Sequence, residues 1–118
     1  MFEPENIRDW LGLAVVDTDG DKVGTLESYY YDTASELPTF ATVEMGLLSG
    51  RRLAFVPLEG ALLSPKYLKV TVGKKLVRDA PSIETDGELE AAREPEIFKH
   101  YGLTYTPGAS GERRLGRR

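Results

Sequence analysis

The sequence predicts a mainly β protein, a small antiparallel barrel of five to six strands with a C-terminal helical appendage. Three observations predict it. Short apolar-alternating segments recur along Leu13–Val72, Gly- and Pro-bearing turns separate them closely, and helical periodicity is nearly absent before residue 84.

The opening hairpin organises the chain. Leu13–Val16 runs apolar into Asp17-Thr18-Asp19-Gly20-Asp21, and Lys22–Tyr31 resumes with Val23, Thr25 and Glu27 alternating against Gly24, Leu26 and Ser28. An Asp-Gly pair between two such runs is a strong short-range hairpin signal, because glycine takes positive φ without steric penalty. Gly24 within the second strand indicates a bulge or a close approach of backbone. Tyr29-Tyr30-Tyr31 then favours strand by its aromatic content. Upstream, Asn6–Leu11 forms a short helical turn or a short strand, with Trp10 read as a core plug.

Phe40–Met45 supplies a third strand and Leu53–Val56 a fourth, joined by Gly46–Arg52 and closed by Pro57, which has no N–H for a ladder. Leu47 and Leu48 in that connection either fold back on the core or offer an apolar contact to a partner. Leu58–Leu63 is a strand or a turn, and Tyr67–Val72 alternates as a further strand. After Gly73–Val77 leaves the sheet, Asp86 is a candidate helix cap for ELEAAREPEIFKHYG. Pro95 must kink that helix or restart it, and Ile97, Phe98 and Tyr101 dock the appendage on the barrel or on a second copy. The expected units are 1–83 for the barrel, 84–106 for the appendage and 107–118 for a flexible Arg-rich tail.

Composition narrows the chemistry. At 118 residues and 41% hydrophobic content, the chain is one globular domain with room for a real core. No cysteine is present, which excludes disulfides, thiolate metal sites and cysteine nucleophiles. The N-terminus has neither a basic leader nor an apolar run, and no window reaches the ~20 apolar residues of a membrane helix. A cytoplasmic location is the expectation. The formal charge is −4, but the last twelve residues set Arg113, Arg114, Arg117 and Arg118 against Glu112, a net +3 that leaves −7 on the body. An acidic body argues against nucleic-acid binding except through that tail, the one segment suited to phosphate or another anion.

Motifs for catalysis are missing. Asp17, Asp19 and Asp21 match positions one, three and five of a calcium loop, but Lys22 stands where its glycine belongs and Ser28 where its bidentate Glu belongs. An acidic turn with no metal is the reading. The sole histidine, His100, has no nucleophile elbow to serve and reads as structural or surface. Glu88, Glu90, Glu94 and Glu96 lie among Arg93 and Lys99 and read as a solvated helical face. No catalytic residue, cofactor or metal ligand is assigned.

Leu11-Gly12, Val15-Val16, the turn to Gly20, Val23-Gly24, the run Arg52–Leu58, and Val77, Asp79, Ala80 and Pro81 together resemble the PRC-barrel family. That barrel is shared by the cytoplasmic part of the photosynthetic reaction centre H subunit and the C-terminal domain of a ribosome maturation factor. The resemblance spans Ile7–Ile83, and the YGLTY segment is similar to stand-alone bacterial members. It implies a non-enzymatic interaction module that tethers or tunes a larger assembly, here expected to form a homodimer and to meet a protein partner. The candidate contacts are Tyr29, Tyr30, Tyr31, Leu47, Leu48, Phe98 and Tyr101. The alternative is a ribosome- or RNA-associated factor binding through Arg113, Arg114, Arg117 and Arg118.

Overall fold

The computed structural model describes residues 9–47, 50–85, 87–106 and 114–117. Four strands open the chain as an antiparallel meander: β1 (Ala14–Val16), β2 (Lys22–Asp32), β3 (Pro38–Leu47) and β4 (Gly50–Pro57). The short β5 (Leu62–Leu63) and β6 (Tyr67–Lys69) follow, and β6 returns beside β1 in parallel, with Val15 opposite Leu68. Helix α1 (Lys74–Arg78) leads to β7 (Ser82–Glu84), which pairs with β4. A 3-10 turn at Ala91–Arg93, helix α2 (Glu94–His100) and β8 (Leu115–Arg117) complete the described chain.

The sheet runs β5-β6-β1-β2-β3-β4-β7, with β8 added beside β2. It is mainly β, as expected, but differs from a simple antiparallel barrel in two respects. The β1–β6 pair is parallel, and the end strands β5 and β7 do not pair with each other among the described residues. The parallel pair arises because β6 arrives by way of β5 rather than by a tight hairpin from β1.

Both faces of β2, β3 and β4 are buried. On one face Val23, Leu26, Tyr29, Ala41, Val43, Met45, Ala54 and Val56 join Trp10, Val15 and Leu68 in the barrel core. On the other, Tyr30, Phe40, Leu53 and Phe55 meet Ile83, Leu89, Ile97, Phe98 and Leu115. Strict alternation would set one face of β2, yet Val23, Leu26 and Tyr29 share the barrel core at a spacing of three. Two irregularities bring them round: the shift between Leu26 and Ser28 against β3, and the one against β1 that leaves Val23 without an opposite residue between Lys22 and Gly24. Gly24 lies where this strand crosses β3 closely: a Cβ there would stand 2.7 Å from Val43 Cγ1 and closer still to the Glu44 carbonyl.

The appendage is part of the fold. Its aromatic rings lock edge-on against the outer face, Phe40 to Phe98 at 5.2 Å and Phe98 to Tyr105 at 5.1 Å between centroids, a geometry worth about 0.5–1.5 kcal/mol per pair beyond area burial. The expected docking of Ile97, Phe98 and Tyr101 therefore occurs on this chain's own barrel. Pro95 sits in the first turn of α2, so the helix restarts there; residues 87–90 are irregular rather than helical, because their backbone feeds buried Leu89 into the outer core. Asp86, the expected cap, lies outside the described residues.

Two substitutions probe this arrangement. Gly24→Ala forces β2 away from β3 and should cost about 1–3 kcal/mol. Phe40→Ala opens the outer core and should cost about 3–5 kcal/mol. Chemical denaturation reads both, and Phe40→Ala should unlock α2 in hydrogen exchange before the barrel strands exchange.

Candidate interaction surface

Burial sorts the residues predicted to meet a partner. Tyr29 and Tyr30 are inside, one on each side of the sheet, and Phe98 is buried under Phe40. Tyr101 donates its hydroxyl to the Phe55 carbonyl at 2.6 Å, and burial pushes its ionisation well above the usual tyrosine range. These four side chains serve the fold: Tyr29 and Tyr30 because β2 has a core on each side, Phe98 and Tyr101 because α2 and its end pack on the outer face. Tyr31 is half-buried against β8. Leu47 ends β3, its side chain outside the described atoms; Leu48, Arg113 and Arg118 also lie outside them, as does the Arg117 side chain.

The tail does not stay apart from the fold. Residues 115–117 add to β2, pairing Leu115 with Asp32, Gly116 with Tyr31 and Arg117 with Tyr30, which corrects the expectation of a flexible terminus over that stretch. Its composition of Gly and Arg concealed the one apolar residue that matters, Leu115, which is 0% exposed. Arg114 is equally committed: its Nε donates to Asp32 Oδ2 at 2.8 Å and its carbonyl accepts from the Thr33 N–H at 2.8 Å. Burial alone would raise the Asp32 carboxyl, but Arg114 and the N–H groups of Ala34 and Ser35 hold it below its ordinary value.

Glu94 grips the same segment. Read from sequence as part of a solvated face, it is 0% exposed. Its Oε1 accepts from the Tyr105 hydroxyl at 2.7 Å and the Arg114 N–H at 2.9 Å, and its Oε2 accepts from the Leu115 N–H at 2.9 Å. A carboxyl taken out of water requires such donors. Burial, together with the hydrogen bond to Glu94 and its charge, pushes Tyr105 up to about 12.

The acidic turn is a structural joint. The carboxylates of Asp17, Asp19 and Asp21 come within 4.8 Å of one another. Asp17, however, spends Oδ1 on the N–H groups of Asp19 and Asp21 and Oδ2 on that of Lys74, tying the first hairpin to the start of α1. Burial raises its pKa and these three donors outweigh it, leaving it lowered. His100 Nε2 lies 2.6 Å from the Leu76 carbonyl; a carbonyl only accepts, so Nε2 carries the proton and the ring joins α2 to α1.

The exposed apolar surface lies elsewhere, at the free side of β5. Leu62 is 68% exposed and Leu63 41%, on an end strand whose outer edge has no partner among the described residues. Neighbouring strand residues point to opposite faces. Leu62 accordingly lines a groove of about 630 Å³ with Leu37, Pro38, Leu58 and Ala61, and Leu63 one of about 370 Å³ with Trp10, Leu13 and Pro65. Leu37, 58% exposed, and Tyr67, 40%, extend the patch. Sequence reading assigned Leu58–Leu63 to a strand or a turn and no contact to it; the available signal was Leu62-Leu63 directly before Ser64-Pro65, two large apolar residues at a chain reversal.

A mainly β sheet buried on both faces, with an apolar edge flanked by grooves, defines a small β-barrel-type domain. Residues 3–77 match the PRC-barrel domain, and the chain belongs to that family. The match ends inside α1, so β7, α2 and β8 lie beyond it. No curated protein matches the chain. Among the described residues, no helix is long and apolar enough to cross a membrane.

Two measurements test the joints. Asp17 and Asp32 are lowered on folding, so their stabilisation is complete above the ordinary value of 3.8 and is lost as pH falls through the folded values. Tyr105 is raised, so its contribution is complete below 10.0 and is lost as pH climbs toward about 12. Thermal scans across pH should decline in both windows, and Asp32→Asn should flatten the acid limb. Glu94→Ala leaves three donors without their acceptor and should cost about 3 kcal/mol or more. In that variant the amides of Thr33 and Leu115 should lose exchange protection while those of β3 keep it.

Proposed function

We propose that this chain is a non-enzymatic protein-interaction module of the cytoplasm that self-associates and docks a partner through the β5 edge and its two grooves. The observation that carries this reading is the pair Leu62 and Leu63, exposed side by side on an end strand whose outer edge has no partner among the described residues. Folded monomers blunt such edges with charge, proline or cover, and contiguous exposed apolar surface marks a contact site. An extended segment with apolar side chains at alternate positions fits it, its backbone continuing the sheet and its side chains entering the grooves beside Leu62 and Leu63.

The remaining chemistry supports the same reading. His100, Asp17 and Glu94 each have hydrogen-bond duties to the backbone that hold the fold. Arg114 is paired with Asp32, which weakens the alternative of anion binding through the tail. A chain without cysteine asks nothing of an oxidising compartment, in keeping with the cytoplasm.

Leu62→Glu places a charge on the edge without touching either core. Light scattering after size exclusion should show a pair for the parent chain at micromolar concentration and a single copy for Leu62→Glu, with the same melting temperature for both. A parent chain that remains a single copy at that concentration refutes self-association. An unchanged pair in Leu62→Glu refutes the edge.

A further inference from the structure

The slot that holds β8 selects its occupant residue by residue. An arginine at position 114 meets Asp32 through its guanidinium at 2.8 Å. Leucine 115 fills the outer core among Tyr30, Phe55 and Ile97 and is fully buried. Glycine fits next, because a Cβ at Gly116 would fall on the ring carbons and hydroxyl of Tyr31 and so would have to push that ring aside. Glu94 and Thr33 grip the backbone between them, Glu94 accepting the N–H groups of residues 114 and 115 and Thr33 donating its N–H and hydroxyl to the carbonyl of 114. The slot thus combines a carboxylate, an apolar hole, a ring that any side chain at 116 must displace and three strand pairs with β2.

We infer that this slot is a strand-addition site for an extended Arg-Leu-Gly segment, and that it accepts that segment from a second copy of the chain as well as from its own. The contacts described for residues 114–116 run to β2, Thr33, Glu94, Thr106 and the outer core, so a strand arriving from another molecule makes the same pairs with the slot. Exchange of an identical element between copies needs no new interface, only release of the strand already there. Attachment to the same chain gives the resident strand an effective concentration on the order of millimolar, which sets the level a competing copy must reach. This slot adjoins the groove beside Leu62 at Asp32, which borders both, while Leu62 itself makes none of the contacts described for residues 114–116.

The test uses the full chain carrying Leu62→Glu, which removes the edge contribution, and a synthetic peptide of residues 112–118, ERRLGRR. Titrating unlabelled peptide to millimolar concentration into the labelled chain should move the chain's own Leu115 and Gly116 amide signals to those of a released segment, while Thr33 keeps its paired position. Adding Leu115→Ala to the chain weakens the resident strand, and the peptide should then bind about tenfold tighter or more. A peptide with Gly116→Ala keeps every charge and should bind about tenfold more weakly or worse, because it must displace the Tyr31 ring. Unmoved Leu115 and Gly116 signals overturn the inference, as does equal binding by the Gly116→Ala peptide, which would show attraction of arginines to an acidic body and nothing more. Should the Leu115→Ala chain lose its melting transition, the titration of the chain with Leu115 intact decides alone.

Discussion

Burying both faces of β2, β3 and β4 is the constraint from which the rest of the molecule follows. Phe40 and Ala41, or Phe55 and Val56, are neighbours in sequence and face opposite sides of the sheet, so neither side can be left to water. An antiparallel sheet with one solvated face alternates apolar with polar residues, and these strands do not over their central positions. Curling the sheet with β1 and β6 covers one side. The other requires Leu89, α2 and β8, which is why the chain beyond the matched family region is built into the domain.

Closing that outer core with a short terminal strand brings polar backbone into an apolar place. Leu115 cannot be inserted without its N–H, and the N–H cannot be inserted without an acceptor. Glu94 is that acceptor, and its own burial is satisfied in turn by Tyr105, Arg114 and Leu115. The Arg114–Asp32 pair, partly shielded at 26% and 19% side-chain exposure, fixes the register beside it. The same contacts that fasten the strand also define what else fits, so stability and selectivity at this slot have one origin.

The β5 edge presents the opposite situation. There the apolar side chains are left in water, on either side of a two-residue strand, with grooves already formed beside them. Partner docking would centre on the free end of the sheet and strand exchange beside β2, with Asp32 bordering both. Neither needs the barrel core to rearrange, since Val15, Ala41, Val43 and Val56 are fully enclosed in the form described.

Local sequence determined much of this protein. The Asp-Gly hairpin, the strands through Leu53–Val56, a bulge or close approach at Gly24, the burial of Trp10 and a kink or restart at Pro95 follow from φ preference, side-chain period and missing N–H groups, all of which act within a few residues. Tertiary structure decided which aromatic faces which core, because a bulge near Glu27 shifts the alternation and no local signal marks its place. It also turned Glu94 from a member of a charged run into a buried acceptor, and an Arg-rich terminus into a strand. Both outcomes depend on partners more than ten residues away in sequence, Glu94 with Arg114 and Asp32 with Leu115. The exposed face of Leu62 and Leu63 belongs with them: a Leu-Leu pair reads as core until the sheet is assembled and leaves it at the edge.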